Sequence, residues 1–221
     1  AEIESWGEVE IGPQINSVVD VPFAGGTLAM NSLAENAFSP PDIQVLQSFA
    51  PVMSEAYLRL RQFQRQEAVR QVCEAVWRME KSEDLLQVLT VIRQQLIEVG
   101  IVFDDVGLNV VDTSTQPWAV QYYYYYPDQE DQPGWVLWSS TVEATNTQVF
   151  EFWRAGQLSY RPHMQREDML REGWEPDELS HPVAAVVDVP FSGGTLALNS
   201  RYPDAFSPED LAFLQVLVGV L

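Results

Sequence analysis

The sequence predicts an α+β domain built on an antiparallel sheet, and three observations lead to that fold class. Segments with helical and strand-like spacing follow one another in the order helix, helix, strands, helix, strand, hairpin, helix. A segment that combines a hairpin with a helix occurs twice along the chain. The strand segments alternate apolar with polar residues, as strands do when the two faces of a sheet meet different surroundings.

Composition limits the kinds of protein that the chain can be. It has 221 residues, of which 46% are hydrophobic, so a sizeable core is available. The formal net charge of −20 argues against nucleic acid and anionic membranes as partners, because both attract basic surfaces. No apolar run approaches the roughly 20 residues of a membrane span, and no signal-peptide pattern is found, so we expect a cytoplasmic protein.

The internal repeat sets the expected domain organisation. Residues 18–47 and 186–215 are identical at about two thirds of their positions, without a gap. We therefore expect residues 1–51 to be the C-terminal part of a first copy, residues 52–80 a helical linker and residues 81–221 a complete domain. A hairpin and a helix cannot bury a core by themselves, so the partial copy must pack on the complete domain, on the linker or on another chain.

The linker is predicted to be a long helix, because neither glycine nor proline occurs between Val52 and Gly100. Two sets of apolar residues repeat in it at coiled-coil-like spacing: Met53, Ala56, Leu60 and Phe63, then Val69, Val72, Val76 and Met79. The sets are out of phase across residues 64–67, so the apolar stripe rotates there or the helix breaks. A second amphipathic helix is expected from Ser82 and Asp84 onwards.

The remaining elements follow from periodicity and turn chemistry. Strands are predicted at 106–112, 118–126, 134–140 and 158–161, and helices at 146–155 and 165–173. Residues 184–191 and 195–199 form a strand pair around the turn Ser192-Gly193-Gly194. The last helix begins after Ser207, which is a favoured N-cap residue, and runs to the C-terminus.

The end of the chain resembles a known family. VDVPF at 187–191, GTLALNS at 194–200 and AFSPEDL at 205–211 resemble the last two strands and final helix of GAF domains. The resemblance covers residues 70–221 as a whole domain and 1–52 as the tail of a preceding copy, as in tandem GAF proteins. It implies a GAF-like, profilin-like antiparallel sheet of six strands with helices on both faces, preceded by a long signalling helix.

The resemblance also implies a role and partners. GAF modules sit upstream of output domains such as histidine kinases, and they relay the state of a bound small molecule. We therefore expect a regulatory module of a multidomain signalling protein, not an enzyme, that forms a homodimer through the helices at 52–80 and 207–221. The cofactor or ligand stays unknown at this stage, and no nucleic acid or membrane partner is expected.

Several kinds of chemistry are excluded by particular residues. The cyclic-nucleotide pattern of GAF domains places a lysine after the asparagine and a glutamate after the aspartate, but this chain has Asn199-Ser200 and Asp210-Leu211. Cys73 is the only cysteine and lies in the linker helix, which excludes an intramolecular disulfide and a cysteine cluster and argues against a bilin attachment site. His163 and His181 have no metal-ligand spacing.

A candidate pocket remains on one face of the sheet. Polar side chains from three strands share that face, and aromatic and basic side chains come from the segments that cover it. The candidate ligand-binding residues are Asn109, Trp138, Phe150, Trp153, Arg154, Tyr160, Arg161, Asp188 and Thr195. Aromatic walls with one or two cations suit a small planar or anionic ligand.

The same residues allow a second hypothesis. The aromatic side chains can instead fill the space between the sheet and its cover, which leaves no pocket. The chain would then be a ligand-free structural module for dimerisation or interaction. The sequence leaves these two hypotheses open.

Overall fold

The computed structural model describes residues 15–126, 134–140, 143–171 and 182–221. The chain divides after Phe63 into two compact units. The first unit contains strands β1 (Ser17–Phe23) and β2 (Gly26–Ser32) and the beginning of helix α1 (Pro40–Trp77). No helix in these ranges is both long and apolar enough to cross a membrane.

The second unit, from Gln64 on, contains one antiparallel sheet and the helices that pack on it. After α1 and a short 3-10 turn at Ser82–Asp84, its elements are α2 (Leu85–Glu98), β3 (Asp105–Asp112), β4 (Ala119–Tyr126), β5 (Gly134–Ser140), α3 (Glu143–Ala155), β6 (Ser159–Arg161), α4 (Arg166–Arg171), β7 (Ala185–Phe191), β8 (Gly194–Ser200) and α5 (Pro208–Val218). The strands are ordered β5-β4-β3-β8-β7-β6. The predicted α+β class with an antiparallel sheet is confirmed.

Helix α1 differs from the two helices that the sequence predicts for its residues. The last helix of the first repeat and the linker form one continuous helix, which contains Pro51 and passes through residues 64–67 without a break. The apolar stripe therefore rotates around the helix at that point. Asp84 closes the turn that follows α1, because its carboxylate accepts hydrogen bonds from the backbone N–H groups of Glu80 and Lys81, and these bonds lower its pKa.

One face of the sheet is covered by α2, α5 and the second half of α1. Val72 of α1, Leu89 of α2 and Leu214 of α5 are each fully buried there against the central strands. The second set of apolar residues on the linker helix, which includes Val72, therefore packs into the core of its own domain. The first set does not, because its members Leu60 and Phe63 are 54% and 64% exposed.

The two copies of the repeated segment have the same local structure. Strands β1 and β2 pair in the same register as β7 and β8, so that Val19 faces Met30 as Val187 faces Leu198. Each following helix starts one residue after a serine, and in both copies an aspartate three residues after that serine accepts a hydrogen bond from the hydroxyl group. Their burial differs, since every residue of β8 is buried while most of β2 is exposed.

Glycine is required at the start of β8 by the closeness of the neighbouring strand. A Cβ atom on Gly194 would lie 1.8 Å from the backbone oxygen of Asn109. Strand β8 can therefore lie next to β3 only because position 194 has no side chain. This contact fixes the central strand pair on which the candidate site is built.

We expect Val72→Glu to lower the free energy of unfolding of the second unit by about 3 kcal/mol or more, because a carboxylate would be buried without a partner. Val102→Glu is the matched control, since Val102 is 57% exposed and lies in the same unit. Urea denaturation followed by tryptophan fluorescence measures both. If Val72→Glu is no more destabilising than the control, the helix does not pack into this core.

Candidate functional site

The face of the sheet opposite the three helices carries buried polar groups. Asn109 of β3 lies directly between Tyr122 of β4 and Thr195 of β8. Its Nδ2 atom donates to the Thr195 hydroxyl oxygen over 2.9 Å, and the two residues are only 2% and 0% exposed. The Asn109 Oδ1 atom is buried and has no hydrogen-bond partner among the described residues. A buried carbonyl oxygen without a donor is costly, so this atom marks a place where a water or a ligand donor fits.

Small residues make room beside this amide. In the next row across the sheet, Gly107 of β3 and Ala197 of β8 lie between Tyr124 and Asp188. A Cβ atom on Gly107 would lie 2.6 Å from the ring of Tyr124, so glycine allows that ring to lie flat over the strand. The rings of Tyr122 and Tyr124 stack with their centroids 6.4 Å apart. Burial raises the pKa of Tyr122, so its phenol stays neutral at physiological pH.

A charged pair lies at the other end of the same face. Arg161 of β6 forms an ion pair with Asp188 of β7, and their side chains are 18% and 8% exposed. The guanidinium carbon of Arg161 also lies 4.8 Å from the ring centroid of Phe152. Breaking such a pair would leave one buried charge without its partner, which costs several kcal/mol. The pair therefore fixes β6 and the end of α3 over the polar face.

Helix α3 covers this face. It packs against β7 and β8, and its Val149 side chain is buried with Val120 and Tyr122 of β4. Trp153 holds the helix to the turn between β7 and β8, because its indole N–H donates to the backbone oxygen of Ser192 over 3.2 Å. The polar residues of this face, which we call the polar floor (Asn109, Thr195, Asp188 and Arg161), and the helix that covers them thus come from segments that are far apart in the sequence.

A cleft of about 440 Å³ lies between α3 and the loop that leads into β4. Its lining residues are Gln116, Pro117, Trp118, Thr147, Phe150, Glu151 and Arg154. The Trp118 ring meets the rings of Phe150 and Trp153 edge to face, each at 6.0 Å between centroids. The Arg154 guanidinium carbon lies 5.0 Å from the centroid of Trp118 and 5.8 Å from that of Phe150. This combination of rings and a cation suits a small polar ligand with an apolar part.

Most of the predicted site residues lie either on the polar face of the sheet or at the cleft beside α3. The floor contains Asn109, Arg161, Asp188 and Thr195, and the cleft region contains Phe150, Trp153 and Arg154. Trp138 lies opposite Tyr122 in the pairing of β5 with β4, but its side chain falls outside the described part of the structure.

Tyr160 lies on the face of the sheet opposite the polar side chains. It lies directly opposite Val187 in the pairing of β6 with β7, and Val187 belongs to the face that the three helices cover. The Tyr160 ring contacts Phe206 edge to face, and its hydroxyl accepts a hydrogen bond from the Phe206 backbone N–H. The aromatic residues of this segment favour a place in the pocket for Tyr160, but a strand of three residues is too short for its alternation to show which face the side chain is on.

Sequence reasoning missed Trp118 and Phe152. Trp118 belongs to the predicted strand at 118–126, and the approach of α3 makes it a wall of the cleft. Phe152 carries the cation–π contact to Arg161, which no local pattern indicates. Neighbouring aromatic residues in the helix were the available signal, because Phe150, Phe152 and Trp153 together are too many for one buried stripe.

Asp210, from the cyclic-nucleotide pattern, and His163 contact residues outside the candidate site. Asp210 caps α5 together with Ser207 and pairs with Arg65 of α1 over 2.6 Å. His163 is exposed and lies 3.3 Å from Asp204, while His181 falls outside the described residues. Within the described ranges, no three histidine, cysteine or acidic side chains are close enough together to hold a metal ion.

Comparison with known proteins shows a likeness at the level of structure. No protein-family model matches the chain, and no curated protein matches it. Among solved structures, it is similar to the GAF domain from Acinetobacter phosphoenolpyruvate-protein phosphotransferase, with 15% sequence identity and a TM-score of 0.48. The match covers 70% of this chain and 87% of that chain. A likeness at this level says nothing of function, which depends on the residues of this chain.

We expect Arg161→Met to lower the free energy of unfolding by about 3 kcal/mol, since the ion pair with the buried Asp188 carboxylate would be lost. The double variant Arg161→Met/Asp188→Leu should recover most of that loss, because no buried charge remains. Arg59→Met is the control, as Arg59 and Glu55 form an exposed pair worth about 0.5 kcal/mol or less. Urea denaturation measures all three. A double variant as unstable as the sum of its single variants would contradict the coupling.

Proposed function

We propose that the second unit is a GAF-like sensory module that binds a small molecule at the α3-covered face of its sheet. The single observation that carries this proposal is the buried polar floor formed by Asn109, Thr195, Asp188 and Arg161. The opposite face of the same strands is packed with aliphatic side chains. A domain that needed both faces only for stability could pack both of them in this way.

The cost of the polar floor supports a binding role. A buried hydrogen-bonded pair of polar groups stabilises a fold little more than apolar groups of the same shape would. A buried polar group without a partner destabilises the fold by about 1–3 kcal/mol. Asn109 Oδ1 is such a group among the described residues. Proteins keep unfavourable arrangements of this kind at functional sites, where the missing partner arrives with the ligand.

The route for a signal follows from the packing of α1. Residues Ala68 and Val72 of this helix are buried against the face of the sheet that lies opposite the polar floor. A shift of α3 and the strands on ligand binding would change that packing, and α1 runs uninterrupted from Pro40 to Trp77. We propose that this helix relays the ligand state to an output domain, such as a histidine kinase, and that the module has no catalytic activity of its own.

A homodimer through the same helix fits the exposed residues. Met53, Leu60 and Phe63 form an apolar seam on α1 that is at least 40% exposed at each position. On α5, Leu214 and Leu217 are buried in the core, while Val216 is a large apolar residue that is 61% exposed and can contact a partner. We propose α1 as the main dimer contact, in a tandem GAF protein of which the first unit is the end of the preceding copy.

A ligand-free dimerisation module is the second candidate function. The exposed seam of α1 favours it, because that seam needs no ligand to pair with a second copy. The hydrogen bond from Trp153 to Ser192 also favours it, since this bond closes α3 onto the sheet without a guest. The two candidates differ in what Trp153 and the polar floor contribute.

We expect the double variant Asn109→Leu/Thr195→Val to unfold at the same free energy as the wild type or at a value higher by about 1 kcal/mol, because both partners of a buried hydrogen bond become apolar. It should at the same time lose any small molecule that native mass spectrometry finds on the purified wild-type protein. Leu108→Asn, on the same strand but on the helix-covered face, is the control. It should lower the free energy of unfolding by about 3 kcal/mol. A strongly destabilised double variant would assign the floor a structural role only.

Two further variants separate sensing from dimerisation. Leu60→Glu should shift the protein to monomers in sedimentation velocity while leaving the bound molecule in place, because Leu60 is exposed on α1 and does not belong to the polar floor. Trp153→Ala should keep the dimer and release the molecule, since the indole holds α3 to the sheet. If no preparation retains a small molecule and Trp153→Ala changes stability alone, the sensory proposal is wrong and the dimerisation module remains.

A further inference from the structure

We infer that the cleft beside α3 binds a zwitterion of the α-amino acid class with an apolar or aromatic side chain. The inference goes beyond the proposed function, because the residues that line the cleft are not those of the polar floor. The observation behind it is a pair of opposite charges that line the cleft but do not bind each other. These are the carboxylate of Glu151 and the guanidinium group of Arg154.

The two charges lie one helical turn apart on α3, at the spacing where a glutamate and an arginine can form an ion pair. On α1 such pairs do form, as between Glu67 and Arg70 and between Glu55 and Arg59. Neither Glu151 nor Arg154 has an ion-pair partner within 4.0 Å among the residues that the structure describes. The Arg154 guanidinium lies instead over the ring of Trp118.

The stacking on Trp118 orients Arg154 for a ligand carboxylate. A guanidinium group that lies over an aromatic ring keeps its N–H donors along its edge, where they can bind a carboxylate through two parallel hydrogen bonds. Glu151, one turn away, can accept hydrogen bonds from an ammonium group. The side chains of residues three apart on a helix start about 5–6 Å from each other, so they can bracket the two adjacent charged groups of one amino acid.

The apolar wall of the cleft sets the rest of the ligand. Trp118, Phe150 and Pro117 line it, and their surfaces suit an aliphatic or aromatic side chain. The volume of about 440 Å³ is in the lower part of the range of small-molecule sites, roughly 300–1,000 Å³. This combination fits an amino acid better than a large ligand.

The charge of the chain selects against a simple anion. The protein carries a net charge of −20, and Glu151 adds a carboxylate within the cleft itself. An anionic ligand would gain the contact with Arg154 but would be repelled by Glu151 and by the overall field. A zwitterion is neutral overall and gains from both local charges, so the cleft should prefer it to a molecule that carries either charge alone.

The experiment uses three probes that differ by one group each: L-phenylalanine, 3-phenylpropionate, which lacks the ammonium group, and 2-phenylethylamine, which lacks the carboxylate. Binding to the full chain is measured by ligand-observed NMR and by calorimetry. Because both charges are exposed, we expect L-phenylalanine to bind about fivefold more tightly than either truncated probe.

Single variants assign each preference to its residue. Glu151→Gln should remove the preference for L-phenylalanine over 3-phenylpropionate, and Arg154→Gln should remove the preference over 2-phenylethylamine. Glu55→Gln and Arg59→Gln are matched controls, because they remove the same charges from an exposed pair on α1, and they should change neither ratio. Circular dichroism verifies that all four variants fold.

Three results would overturn the inference: L-phenylalanine does not bind the wild type, it binds no more tightly than both truncated probes, or its affinity is unchanged in Glu151→Gln and Arg154→Gln. These results are distinct from a failure of the proposed function. If a retained molecule is lost in Asn109→Leu/Thr195→Val while L-phenylalanine does not bind, the sensory role stands and this ligand class is wrong. If L-phenylalanine binds through both charges but leaves hydrogen exchange in α1 unchanged, the cleft assignment stands and the relay fails.

Discussion

The close pairing of β3 with β8 is the constraint on which the rest of the domain depends. Leu108 faces Leu196 and Asn109 faces Thr195 in this pair, so one register sends an aliphatic row to one side and a polar row to the other. A shift of one residue would put the amide into the helix-covered core. The absence of a side chain at Gly194 allows the strands to lie this close, and the core helices then have a single face on which to pack.

The polar row gives the domain an uneven distribution of stability. The helix-covered face gains free energy from burying aliphatic side chains, at roughly 25 cal/mol for each Å² removed from water. On the other face, the cost of desolvating the Arg161–Asp188 pair and of an amide oxygen without a partner among the described residues offsets part of that gain. Helix α3, which covers this costly face, is the element whose position a bound molecule would influence most. The proposed sensory role agrees with this difference, because one face stabilises the domain and the other leaves polar groups for a ligand.

The repeated segment shows how far local sequence determines structure. Its two copies agree in strand bounds, in register, in the serine–aspartate cap and in the residue of positive φ before the cap, Asn36 in one copy and Asp204 in the other. They differ in burial, because β8 has β3 beside it and helices over it while most of β2 is exposed. Short-range hydrogen bonds and turn geometry are therefore fixed by the segment itself, and burial is fixed by its neighbours.

Periodicity, capping and turn residues act over a few positions, so the sequence alone predicts the fold class, the order of elements, the polar side chains of one sheet face and the hairpin. Three features follow instead from tertiary packing. They are the set of apolar residues on α1 that enters the core, the position of Tyr160 on the helix-covered face, and the contact of Trp118 with α3 that forms the cleft. The reason is physical. Each of these outcomes depends on how separate elements approach one another, and no local pattern encodes the distance between a loop and a helix that follows it two strands later.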